Sequence, residues 1–164
     1  MHRSPARAVD GERASTSVED TRALGCAIGE LAVPGTVLAL IGPLGAGKTQ
    51  LAKGVAKGLG VTSVVNSPTF VLMNEHDGRL RLYHIDAYRL GDPEEALAAG
   101  LLDERQVDGV TVVEWADRLE GWLPPERLEI VLSQGQADDR RTIRWVAHGH
   151  AHERLARAAL EGRT

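Results

Sequence analysis

The sequence predicts a mixed α/β domain: a central sheet, parallel in one part, with antiparallel hairpin strands attached. Three observations carry this expectation. Apolar runs of strand length alternate with segments of helical periodicity. One of the runs, Thr36 to Ile41, is continuously apolar, as in a strand covered on both faces of a parallel sheet. Other strand-like runs are joined in pairs by short polar turns. At 164 residues and 43% hydrophobic content, the chain has the size and apolar fraction of one core.

Taken in order, residues 1–14 are rich in charge, Pro and Ala without apolar periodicity and are expected to form a disordered tail, leaving residues 15–162 as a single domain. Thr16 with Glu19, or Ser17 with Asp20, supplies a helix N-cap; Leu24, Ile28 and Leu31 then recur on one face until Pro34-Gly35. After the Thr36 to Ile41 strand comes a glycine-rich loop. A helix follows from Lys48 to about Leu59, with Leu51, Val55 and Leu59 at helical spacing and Gly60 as its stop.

Val71-Leu72-Met73, a turn at Asp77-Gly78 and a strand from Leu80 to Ile85 form a hairpin ending at Asp86. Asp92-Pro93-Glu94-Glu95 has the chemistry of a helix start: an N-cap, proline at the first helical position and acid in the first turn. Val110 to Val113 is a second buried-type strand delivering Glu114 and Trp115. Leu128 to Leu132 and Thr142 to Val146 are further strands, and a last helix runs from about His150 to Leu160.

The formal net charge of -4 gives no general attraction to nucleic acid or anionic lipid. The single cysteine, Cys26, excludes an intrachain disulfide and falls on a helix, where a buried structural thiol is expected. No apolar run is long enough to span a bilayer, so no membrane role and a cytoplasmic location are expected.

The chemistry begins at Gly42-Pro43-Leu44-Gly45-Ala46-Gly47-Lys48-Thr49, which satisfies the pattern G-x-x-x-x-G-K-[ST] between a buried strand and a helix. Glycines let backbone N–H groups curl around phosphate oxygens, and the helix N-terminus adds positive dipole. Gly42, Gly45, Ala46, Gly47, Lys48 and Thr49 are therefore the expected nucleotide-binding residues, for ATP with Mg²⁺. Lys48 neutralises phosphate charge and Thr49 offers its hydroxyl to Mg²⁺.

Such a site also needs an acid at the end of a neighbouring strand, and two are available: Glu114 after Val110-Thr111-Val112-Val113, and Asp86 after Leu82-Tyr83-His84-Ile85. Ser67-Pro68-Thr69 occupies a place where a segment sensing the γ-phosphate is often kept, with Thr69 or Ser67 as the contact, although such a tripeptide also makes an ordinary turn. Trp115 divides between core packing and covering the site or meeting a partner, His84 fits a hydrogen-bonded structural histidine better than a catalytic base, and His148, His150 and His152 fit a solvated C-terminal tail better than a weak metal site.

Leu44-Gly45-Ala46-Gly47-Lys48-Thr49, Ser67-Pro68-Thr69-Phe70, His84-Ile85-Asp86-Ala87-Tyr88-Arg89-Leu90 and Val113-Glu114-Trp115, in this order, resemble the TsaE (YjeE) family of bacterial P-loop ATPases. The likeness runs from about Thr16 to Leu132. It implies a P-loop NTPase-like three-layer fold and ATP hydrolysis in support of threonylcarbamoyladenosine modification of adenosine 37 in tRNA. Thr49 and Glu114 would hold Mg²⁺, Asp86 would lie close to the reacting end of the nucleotide, and Ser67-Pro68-Thr69 would be the switch-like segment. The implied partners are TsaD-like and TsaB-like proteins, with tRNA met indirectly through them. Pro43, Gln50 and Ala116 depart from the family's usual residues without removing a ligand.

Three other classes compete. A GTPase is disfavoured because neither Asn66 nor Asn74 begins Asn-Lys-x-Asp, a small-molecule kinase because no arginine-rich lid is evident. A non-enzymatic module whose nucleotide only sets conformation is separated poorly from a slow ATPase.

Overall fold

The computed structural model of the chain describes residues 9–43, 45–66, 73–88, 107–119, 121–135 and 140–161. Their strands are β1 (Val9–Ser15), β2 (Val37–Ile41), β3 (Met73–His76), β4 (Leu82–Asp86), β5 (Val110–Glu114), β6 (Arg127–Gln134) and β7 (Arg141–His148). Their helices are α1 (Val18–Leu31), α2 (Lys48–Gly58) and α3 (His150–Ala159). The strands form one seven-stranded sheet in the order β1-β7-β6-β2-β5-β4-β3.

The sheet is parallel at its centre, where β2 pairs with both β5 and β6 and β4 with β5. Both margins are antiparallel: β3 on β4 at one side, β7 on β6 and β1 on β7 at the other. Every residue of β5 is buried, as a central parallel strand requires.

Residues 9–14, expected to be a disordered tail, instead form most of β1, paired from Val9↔Ala147 to Ser15↔Arg141. Their composition hides this because an edge strand needs only backbone partners on one side and alternates exposed with half-buried residues. Gly11 lies under the Trp145 indole, in space a side chain would fill.

At the start of α1 the Ser17 hydroxyl accepts the Asp20 N–H at 3.0 Å, which selects Ser17 rather than Thr16 as the cap. Asp20 in turn accepts the Thr16 hydroxyl and N–H, and these bonds hold its carboxyl below the usual range. The other end of α1 is closed by Arg79, whose guanidinium donates to the carbonyls of Gly29 and Ala32 at 2.8 and 2.9 Å.

The three helices cover one face of the sheet, packing Leu24, Ile28, Leu51 and Val55 against Leu38, Leu40, Val112 and Ile130. The opposite face buries Ala39, Ile85 and Val113 beneath a 3₁₀ turn at Ala116–Leu119. The helix expected from Asp92 lies outside the described residues, within which the helices form one layer.

α1 and α2 cross with their backbones in contact. A Cβ on Gly25 or Gly29 would strike the Leu51 or Val55 carbonyl, and one on Gly54 or Gly58 the Arg22 or Cys26 carbonyl. Four glycines, paired at i and i+4 on each helix, thus bring the second half of α2 against the second half of α1. Cys26 is half-buried beside Glu30 rather than fully buried as expected. No described helix is long and apolar enough to cross a membrane.

Candidate functional site

β2 ends at Ile41 and the chain turns through the glycine-rich loop into α2. Gly45 and Gly47 have φ of 79° and 104°, in the left-handed region that suits glycine. A Cβ on Gly45 would meet nothing within 4 Å, so the loop is open on the side where a phosphate would approach. Gly47 caps α2, whose first N–H groups have no intrahelical acceptors. Leu44 lies outside the described residues.

Lys48, the first residue of α2, is buried and folds back over the loop. Its ammonium donates to the carbonyls of Gly42 at 2.5 Å and Pro43 at 2.9 Å and sits 3.9 Å from the Trp115 ring centre. Burial lowers its pKa; the carboxylates of Glu114, Asp86 and Asp117 oppose that shift.

Glu114 ends β5 with a buried side chain. One oxygen accepts the Thr49 hydroxyl at 2.9 Å, and the other lies 2.5 Å from Nε2 of His84, fully buried on β4. Asp86 ends β4 opposite Glu114 in the parallel register and accepts the Tyr88 N–H at 2.9 Å. Burial raises the Asp86 pKa, and the Glu114 charge adds to it. The Tyr88 N–H, His84 and Lys48 pull the other way.

Trp115 departs from strand geometry with φ of 57°, rare for a bulky side chain. The bend carries its indole over Lys48 and against Tyr88, ring centres 4.9 Å apart, with the Arg118 guanidinium 5.2 Å from the Tyr88 ring. Lys48, Thr49, Asp86, Glu114, Tyr88 and Trp115 all line one cavity of about 440 Å³, a size suited to a small ligand. Ser17, Thr21 and Gln50 line it too, as does Arg141, which donates to the Gly45 carbonyl at 3.0 Å.

The structure therefore brings Gly45, Gly47, Lys48, Thr49, Asp86 and Glu114 to one cavity. Gly42 and Ala46 lie in the same loop, Gly42 holding Lys48 and Ala46 donating its N–H to Pro43. Thr69, with the rest of Ser67-Pro68-Thr69-Phe70, lies outside the described residues. Thr21 and Arg118 were not singled out from sequence, Ser17 only as a helix cap and Tyr88 only within the His84 to Leu90 stretch. Tyr88 had a signal, two residues beyond Asp86, whereas Arg118 had none.

His152 corrects the expectation of a solvated C-terminal cluster: it is buried, and its Nε2 accepts the Val37 N–H at 3.0 Å. His150 is exposed, as expected.

The donor set suits a nucleoside triphosphate with a hard divalent cation. The loop has glycine where phosphate oxygens need backbone N–H groups, and Thr49 and Glu114 place two oxygens side by side at the start of α2.

Residues 15–143 match the family model of the threonylcarbamoyl adenosine biosynthesis protein TsaE. The tRNA threonylcarbamoyladenosine biosynthesis protein TsaE of Bacillus subtilis (strain 168) is 48% identical over 138 residues, 84% of this chain and 85% of the relative. The protein of the same description from Treponema pallidum (strain Nichols) is 41% identical over 129 residues, 79% and 95% of the two chains. The crystal structure of Bacillus subtilis YdiB is similar with a TM-score of 0.74 at 39% identity, covering 93% of this chain and 95% of that one.

Proposed function

The chain belongs to the TsaE family of threonylcarbamoyladenosine biosynthesis proteins, and from that membership we propose that it is a Mg²⁺-dependent ATPase subunit supporting this modification at adenosine 37 of tRNA. In this reading the domain is P-loop NTPase-like and cytoplasmic. It works with TsaD-like and TsaB-like proteins and meets tRNA through them. One observation carries the proposal: the loop from Gly42 to Thr49 sets Lys48 and Thr49 against Glu114 within one cavity.

When bound, Mg²⁺ supplies positive charge to the phosphate oxygens, and Thr49 and Glu114 are the residues that hold it. Lys48 neutralises phosphate charge alongside the loop N–H groups. Trp115 and Tyr88 form one wall of the cavity. Asp86 stands at the reacting end, where its carboxylate orients the attacking water; Thr69 belongs to the segment that senses the γ-phosphate. A family role within a larger assembly accords with the acidic net charge, which favours protein partners over direct grasp of tRNA.

The test is reconstitution of threonylcarbamoyladenosine on tRNA with TsaD-like and TsaB-like partners over several turnovers. Omitting this chain should stop accumulation after the early turnovers; unchanged product without it would overturn the tRNA role. Glu114→Ala should keep part of the ATP binding and lose Mg²⁺-dependent hydrolysis. Hydrolysis equal to wild type would remove Glu114 from the mechanism.

A further inference from the structure

We infer that His84 is a positioning residue that fixes the Glu114 carboxylate so that one oxygen stays turned toward Thr49 and the divalent cation. The inference rests on the Mg²⁺–ATP reading above. His84 and Glu114 are on neighbouring parallel strands, with His84 level with Val112 and Glu114 level with Asp86, so the imidazole reaches the carboxylate from two register positions behind. The two side chains are 0% and 3% exposed.

A carboxylate only accepts hydrogen bonds, so the proton between these atoms sits on Nε2 of His84. Glu114 Oε2 is thereby held from the interior, while Oε1 faces the Thr49 hydroxyl. The terminal torsion of a glutamate is broad and two-fold, and the bond from His84 to Oε2 narrows it. A partner behind the ligand that sets its orientation is a recurring feature of metal sites.

His84 Nδ1 is buried and makes no hydrogen bond. An apolar side chain would fill the same space without a buried unpaired nitrogen, so the imidazole is explained by its one bond, to Glu114.

The experiment compares ATP binding by calorimetry, in EDTA and across a Mg²⁺ titration, for the wild-type chain, His84→Leu and His84→Gln, with each variant's Tm recorded. The Leu variant should need roughly 10- to 100-fold more Mg²⁺ to tighten ATP binding, while its affinity in EDTA stays within about two-fold of wild type. The Gln variant, whose amide reaches near the Nε2 position, should recover most of the Mg²⁺ response. A folded Leu variant with native Mg²⁺ dependence overturns the inference. So does an equal loss in EDTA and in Mg²⁺, or a folded Gln variant as impaired as Leu. If the Leu variant does not fold, His84→Asn, polar but too short to reach Glu114, takes its place under the same outcomes. A wild-type chain that binds ATP with no response to Mg²⁺ overturns the metal–nucleotide reading, and this inference with it.

Discussion

Two buried histidines sit toward opposite ends of the parallel strands, and their hydrogen bonds run in opposite senses. At the amino end of β2, His152 on α3 accepts the Val37 N–H. Next to Val37, Thr36 bonds both the N–H and carbonyl of Val33, and near the amino end of β4 the Tyr83 hydroxyl donates to Asp108. Nδ1 of His152 is buried without a hydrogen bond, as is Nδ1 of His84. Toward the carboxyl ends, His84 donates to a carboxylate beside a buried ammonium and a second acid, around an open cavity. Burying charges together is unfavourable unless each finds a partner, and Trp115 adds a strained backbone there. Charge and strain gather round the cavity at the carboxyl end, whereas at the amino end His152 and Thr36 bond backbone groups and Tyr83 a single carboxylate.

The difference can be broken most sharply at Lys48. Lys48→Ala should weaken ATP binding by about 100-fold or more, as expected for a charge-assisted contact to phosphate, and calorimetry would expose a smaller loss. At the amino end the effect should fall on stability alone. His152→Leu leaves the Val37 N–H without its acceptor and should lower unfolding free energy by about 1–3 kcal/mol. ATP affinity of the folded variant should not change, and urea unfolding with parallel ATP titration measures both.

The same contact carries a pH signature. Burial holds His152 below its ordinary pKa of 6.5, so the unfolded chain binds the proton more readily than the folded one. Its contribution to stability is present above pH 6.5 and is lost progressively as pH falls below it. His152→Leu should flatten that part of the urea-midpoint profile between pH 5 and 7; a profile as steep as wild type would place the titrating group elsewhere.

The smallest effect is expected at Asp86, whose folded pKa is raised above 3.8 by burial. The stability linked to its protonation is full below 3.8 and is lost as pH rises through the folded value. Asp86→Asn should therefore slightly raise the Tm of the ligand-free chain at neutral pH while lowering hydrolysis. An unchanged or lower Tm would mean the carboxylate is better compensated than its surroundings suggest.

Legibility followed chain distance. The Gly42 to Thr49 loop, the Val37–Ile41 and Val110–Glu114 strands and the acids ending β4 and β5 were readable because each depends on residues a few positions apart. The paired glycines of α1 and α2 were present at i and i+4 spacing, but nothing local says that the two helices meet there.

By itself the sequence determined the strand–loop–helix unit, the Ser17 or Thr16 cap region and the placing of Asp86 and Glu114 at strand ends, since backbone geometry and side-chain periodicity act over one or two turns. Only the tertiary structure decided that residues 9–14 extend the sheet through β7, that Arg141 reaches Gly45 across 96 positions and that His84 stands behind Glu114. Those outcomes depend on which strands pair and in what register, a property of the whole packed sheet rather than of any segment.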